Sequence, residues 1–187
     1  MIEVTIDTRE QTPFAFPPEL VKATIGTIKT GDYCITGDKG FAVERKSLDD
    51  FLGTISSGWE RFQREIFRAR SAGFSMPIVV EGTLDDVVFH WGEVVAGIAV
   101  EAVLRTGARD AAETLEIIRG IFNGDESARE IVPPQHNHFN LTPQFVLKRC
   151  GEIEHLGAHV EFCGTSAVAM AYHHLRERWN VLHGEED

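Results

Sequence analysis

Residues 30–50 read TGDYCITGDKGFAVERKSLDD. Two β-prone runs, Thr30 to Thr36 and Phe41 to Glu44, flank Gly37-Asp38-Lys39-Gly40, a tetrapeptide rich in turn formers. This predicts a hairpin that sets Asp32 beside Glu44. Side chains alternate along a strand, so Glu44 and Lys46 share one face and Arg45 takes the other. Ser47-Leu48-Asp49-Asp50 then has the form of a helix capping box with a short acid in the last position.

Working outward, Ile2-Glu-Val-Thr-Ile6 alternates at period two and predicts a strand ending at Asp7. Residues 12–18 hold three prolines and two phenylalanines, a loop with apolar anchors. Beyond the motif, a first helix starts at Ser47 and a second runs from Trp59 to Ala72. Trp59, Phe62, Ile66 and Ala69 line one face of that second helix. Met76 to Glu81 is an apolar run flanked by Gly73 and Gly82, a buried strand. Helical patterns follow near 92–105 and 110–122, then a polar loop over 123–140. A helix begins at Thr142 with Pro143 in its first turn, His159 to Cys163 is a strand, and Ser166 to Leu182 is a closing helix. Strands alternating with helices predict an α/β fold with a central mixed sheet flanked by helices.

Hard cations such as Mg²⁺ and Mn²⁺ prefer oxygen donors. Asp32 and Glu44 across a hairpin offer two carboxylates, and Lys46 on the same face can orient a water and offset charge on a phosphate. That combination suits metal-assisted phosphodiester hydrolysis. Asp50 is divided between helix capping and a role in the site, Asp7 between a turn and the site edge, and Arg45 between the site and a salt bridge under the sheet. Arg61, Arg64, Arg68 and Arg70 give the second helix a basic face suited to phosphate contact, against the plainer reading of a solvated surface with Glu60 and Arg64 paired.

The chain of 187 residues has a net charge of −11, which argues against generic affinity for phosphate backbones. The charge is uneven: residues 1–81 carry a net of −2 and residues 82–187 a net of −9. The motif therefore lies in the half that could face DNA. Cys34, Cys150 and Cys163 are an odd set with no CxxC pair, which fits a reducing compartment. No apolar run approaches a membrane span, and no basic, apolar leader precedes the first strand; a cytoplasmic protein that is not secreted is expected. The eight histidines all follow residue 89 and show no zinc-finger spacing with paired cysteines, so they are read as surface or core groups.

Asp7-Thr8-Arg9-Glu10, Gly31-Asp32-Tyr33, Val43-Glu44-Arg45-Lys46-Ser47-Leu48-Asp49-Asp50 and Arg61-Phe62 together resemble the nuclease domain of the XPF family of structure-specific endonucleases. That family is similar to the wider PD-(D/E)XK nucleases. The resemblance covers residues 2–82 well and about 140–182 loosely. It implies a restriction-endonuclease-like fold: a single nuclease domain over 1–187 with a helical insertion at about 85–138. It implies a metal-dependent DNA endonuclease acting on branched, flap or fork DNA, leaving a 5′-phosphate and a 3′-hydroxyl. Asp32 and Glu44 would be metal ligands, with Asp7 helping to organise metal or water, and Lys46 the catalytic lysine. Arg9 and Arg45 would contact phosphate or brace the carboxylates, and Asp50 is the motif's last acid. Mg²⁺ or Mn²⁺ is the expected cofactor.

Family members commonly carry a tandem helix-hairpin-helix domain, and some carry a helicase domain; this chain has room for neither. The resemblance implies a homodimer, since the family's nuclease domains pair, and a targeting protein partner would supply what those domains provide. Two rival readings remain at this point. One is a general nuclease of the same fold, acting on duplex or single strands in defence or phage recombination. The other is a DNA-binding or scaffolding module without turnover.

Overall fold

The computed structural model describes residues 1–84, 86–87 and 141–184. The helical patterns near 92–105 and 110–122, and the loop over 123–140, lie outside the described residues. The chain divides into two compact units, one made of Met1–Leu84 with Gln144–Asp187 and the other of Asp85–Pro143. The account below concerns the first.

Strand β1 (Ile2–Asp7) buries Ile2, Val4 and Ile6 as its alternation dictates. It lies between β2 (Val21–Gly26), its parallel partner, and β3 (Tyr33–Ile35), its antiparallel one. A second ladder is wholly parallel: β4 (Glu44–Lys46), β5 (Pro77–Val80) and β6 (His159–Phe162), in that order. The two ladders join at a single antiparallel bridge, Tyr33 to Val43. The Asp32 and Tyr33 amides both donate to the Val43 carbonyl, at 2.8 and 3.1 Å, and the Val43 amide returns a bond of 2.8 Å to Tyr33. The result is two three-stranded sheets, a mixed one of order β2-β1-β3 and a parallel one of order β4-β5-β6, linked at that bridge rather than continuous as the single central sheet expected from the sequence.

Helices α1 (Leu48–Ile55) and α2 (Trp59–Ser71) follow β4. Helix α3 (Pro143–Leu156) precedes β6, and after a 3₁₀ turn at Gly164–Ser166 comes α4 (Ala167–His183). The helices cover opposite faces. In register, Arg45 pairs with Val79 while Glu44 and Lys46 pair with Ile78 and Val80. Val79 packs in the cluster that holds Ala167, Ala171 and Leu175 of α4. Lys46 lies on the other face, its ammonium 5.5 Å from the Phe62 ring of α2. The alanines at four-residue spacing let α4 approach the sheet closely. A further tie comes from Arg178 of α4, whose guanidinium donates to both Asp38 oxygens at 2.6 and 3.0 Å, pinning the 37–40 turn to the helix.

Two departures from the sequence reading have physical causes. Strand β2 went unanticipated because it is an edge strand. Only Val21 is fully buried and Ile25 is 68% exposed, so no alternation marks it; backbone pairing with β1 makes it a strand. The hairpin is also shorter than expected. Its arms meet only at Tyr33 and Val43, after which residues 44–46 leave β3 to pair with β5.

The motif glycine is demanded by this junction. Gly31 has φ +83°, and a Cβ there would stand 2.7 Å from the Ala42 Cβ. Gly37 has φ +87° with open space around it. Gly31→Ala is therefore expected to lose about 2–4 kcal/mol, backbone strain plus overpacking, and Gly37→Ala only about 1 kcal/mol. Urea unfolding followed by circular dichroism measures both, and equal losses would refute the packing argument.

Candidate active site

The site is assembled where the two ladders meet. Asp32 is the residue before β3, and its Oδ2 accepts the Arg45 backbone N–H at 2.8 Å. This bond lies just past the Tyr33–Val43 bridge, so the carboxylate is pinned against the strand that carries Glu44 and Lys46. On that strand the Lys46 ammonium donates to Glu44 Oε1 at 3.0 Å, both side chains being about 15% exposed. The shared face read from strand alternation is thus observed, with the Phe62 ring beside the ammonium.

Electrostatics mark the spot further. Burial and the neighbouring Glu44 carboxylate push the Asp32 carboxyl up to about 7, against the pull of the Arg45 amide. Glu44 is raised as well, by burial first, with Lys46 opposing and Glu65 of α2 adding to the rise. The two carboxyls repel each other and take protons as a pair. A cation between them would relieve that repulsion. Among the described residues no group of three or more His, Cys, Asp or Glu is disposed to hold a metal. Two carboxylates nonetheless fit Mg²⁺ or Mn²⁺, since Mg²⁺ is commonly held by one or two carboxylates with water and substrate phosphate completing the shell.

Arg45 points the other way. Its Nε and Nη2 donate to Glu81 at 2.6 and 3.0 Å and its Nη1 to Glu10 at 2.9 Å, with the Phe14 ring 5.2 Å from the guanidinium. It binds two carboxylates from the far side of the sheet. Asp7 ends β1 almost fully buried. Its Oδ1 accepts the Arg9 amide and Arg9 Nε at 2.8 and 2.6 Å, and its Oδ2 accepts the Ile28 amide at 2.6 Å. Burial raises the Asp7 carboxyl, but these hydrogen bonds outweigh it and hold it below the usual range. Arg9 is also bonded to the Ile28 carbonyl at 2.9 Å; the Asp7 hydrogen bond and charge chiefly strengthen its hold on its proton, with Asp32 and Glu44 adding to this. Asp7 therefore fixes an arginine beside the carboxylate pair.

Asp50 is exposed in the first turn of α1, and its backbone N–H donates to the Ser47 hydroxyl at 3.1 Å. Arg61, Arg64 and Arg68 are exposed on α2; Arg64 lies 3.9 Å from Glu60, and Arg68 Nε donates to the Arg64 carbonyl. Arg70 is drawn off to the His155 carbonyl at 3.0 Å. Three acids near the site were given no role from the sequence: Glu65, Glu81 and Glu10. The position of Glu65 on α2, three residues after Phe62 and so on a neighbouring part of the helix surface, was the available signal.

Removing Arg45 would leave Glu10 and Glu81 facing each other unpaired. Arg45→Ala is expected to cost about 3 kcal/mol in urea unfolding, and Arg45→Lys to recover only part of it because the fork geometry is lost. The Asp32 shift sets a pH dependence. The folded metal-free chain keeps a proton on Asp32 that the unfolded chain has released. This carboxyl's stabilisation is therefore full below pH 4 and lost as pH rises towards 7. Asp32→Asn should flatten that part of the metal-free stability–pH curve and raise stability at pH 8 by about 2 kcal/mol, read by thermal melts in chelator. A variant curve parallel to wild type would overturn the assignment.

A model of the ERCC4 domain matches residues 6–104, more than half of the chain, and takes in Asp7, Asp32, Glu44, Lys46 and all of α2. Among solved structures the chain is similar to XPF from Aeropyrum pernix, with 16% identity over 97% of this chain and 69% of that one and a TM-score of 0.45. No curated protein gives a significant match.

Proposed function

We propose that this chain, which belongs to the ERCC4 domain family, is a Mg²⁺- or Mn²⁺-dependent endonuclease that cuts DNA at branched, flap or fork structures. The ERCC4 domain is a nuclease domain. The observation that carries the reading here is the shared face of Glu44 and Lys46, 3.0 Å apart, with Asp32 anchored 2.8 Å from the Arg45 amide behind them.

In this reading Asp32 and Glu44 hold the cation. Bound there, it would polarise the scissile phosphate and ease deprotonation of the attacking water. Lys46, hydrogen-bonded to Glu44, can place that water or balance charge on the phosphate. Asp7 holds Arg9 by two hydrogen bonds, and Arg9 is proposed to contact phosphate next to the pair. Arg45 is proposed as the brace that fixes the strand from beneath, and Asp50 as a first-turn acid whose contribution runs through the start of α1. Arg61, Arg64 and Arg68 are proposed to track the DNA backbone. Preference for branched DNA comes from the family reading; a homodimer or a targeting protein would supply further contacts. Among the described residues no helix is long and apolar enough to cross a membrane.

The test is cleavage of end-labelled single-stranded, duplex, flap, fork and four-way DNA with Mg²⁺ or Mn²⁺. Cutting is expected on flap or fork substrates. It should vanish in chelator and fall about 10²–10³-fold or more in Lys46→Ala, Asp32→Asn and Glu44→Gln. Equal rates on plain duplex or single strands would replace the branched-DNA reading with a general nuclease. No cutting by folded wild type on any substrate would overturn the enzymatic reading.

A further inference from the structure

Helix α2 passes beside the carboxylate pair, and its surface can be ordered by the helical turn of about 100° per residue. Trp59, Phe62, Ile66 and Ala69 form the buried stripe. The stripe meets the site at Phe62, whose ring lies 5.5 Å from the Lys46 ammonium, and next to it on one flank is Glu65, whose charge reaches Glu44. Going round from Glu65 come Arg61 and Arg68, then Arg64 at the point farthest from the core, and then Glu60 and Phe67 on the other flank. The basic arc therefore runs round the exposed side of the helix, from the flank of Glu65 to the flank that carries Phe67 and Glu60.

That ring is 63% exposed. It lies in an open groove of about 410 Å³ lined by Gln63, Arg64, Phe67, Arg68 and Leu156. Leu156, from the end of α3, forms the far wall, and the Arg70 bond to the His155 carbonyl fixes α3 against α2 there. A lone exposed phenylalanine needs no explanation. This one differs in being an apolar floor flanked by two guanidinium groups, on a helix whose other flank meets the carboxylates. Glu60 is the acid within reach, and its 3.9 Å contact with Arg64 joins two largely exposed side chains, a pair that a phosphate can displace.

Charge separates the two occupants worth weighing. A two-fold contact between copies centred on Phe67 would set Arg64 and Arg68 against their own equivalents. A nucleic acid strand brings phosphates to the guanidinium groups and a π-face to the ring, the combination that holds single strands without regard to sequence. We propose that Phe67, flanked by Arg64 and Arg68, is a stacking subsite for an unpaired nucleobase of the DNA strand leading away from the cleavage site. The inference rests on the DNA endonuclease reading and adds to it the strand form that α2 engages: single-stranded DNA next to the cut.

The test uses the full chain carrying Lys46→Ala, with Mg²⁺, and fluorescence anisotropy of labelled oligothymidylate and of a blunt duplex. Phe67→Ala is expected to weaken the single strand about ten-fold and to leave the duplex within about two-fold. Phe67→Trp should retain the affinity and show tryptophan quenching on binding beyond that of the parent. The ring is exposed, so neither variant threatens the fold; thermal melts verify this. Unchanged single-strand affinity in Phe67→Ala, or equal loss on both DNA forms, overturns the subsite. A shift of oligomeric state in sedimentation with strand affinity intact overturns it in favour of a contact between copies. A parent that binds neither DNA removes the endonuclease reading along with the subsite. Wild-type cleavage that is indifferent to Phe67→Ala on flap substrates, with unchanged strand affinity, removes the subsite alone.

Discussion

Everything in the site depends on one junction between two ladders. Val43 and Tyr33 exchange backbone hydrogen bonds, and one step on the Asp32 carboxylate takes the Arg45 amide. Beyond this point β4 leaves β3 and turns to β5. A regular ladder would have continued the backbone pairing; here a side chain replaces the missing carbonyl. Asp32 thus has two tasks at once. One oxygen closes the sheet, and the carboxylate as a whole raises the local negative charge beside Glu44. The fold tolerates a destabilised carboxyl because the same group satisfies a backbone donor that would otherwise be orphaned.

The two faces of β4 divide the work that adjacent letters of the motif suggest is shared. Glu44 and Lys46 look towards α2, whereas Arg45 looks towards the layer that contains Phe14 and Val79 and neutralises Glu10 and Glu81 there. Two acids on that side and two on the other would repel across a thin sheet. The half-buried guanidinium removes one half of the problem. The charge that remains uncompensated is concentrated on the face that has room for a cation.

Much of this was legible before any coordinates. Period-two alternation in Ile2 to Ile6, the stripe Trp59, Phe62, Ile66 and Ala69, and the apolar run at 77–80 each became the expected element, because hydrophobic burial dictates each pattern directly. The face shared by Glu44 and Lys46 followed from strand geometry alone. Strand β2 did not show because an exposed edge needs no apolar side chains. The partners of Arg45 and Asp7 were hidden for a different reason. Glu81 and Ile28 are brought in by tertiary contacts 36 and 21 residues away in sequence, and no local rule encodes such a meeting. Glu65 lay in plain view on α2, but its nearness to Glu44 depends on how the helix settles on the sheet.

The bond between Arg178 and Asp38 joins residues separated by 140 positions. Helix α4 also supplies the alanine and leucine surface on which β1 and β3 rest. The GD and ERKxxxD letters lie before residue 51, yet the turn between them is held by Arg178, 140 positions beyond Asp38. Chemistry and scaffold are thus encoded in distant segments. A gene fragment keeping only the recognisable half would retain the signature in sequence searches while losing the lid that seals its core. Substitutions in α4 that break this packing should therefore harm the motif's geometry, although no residue of that helix is assigned a step in the reaction.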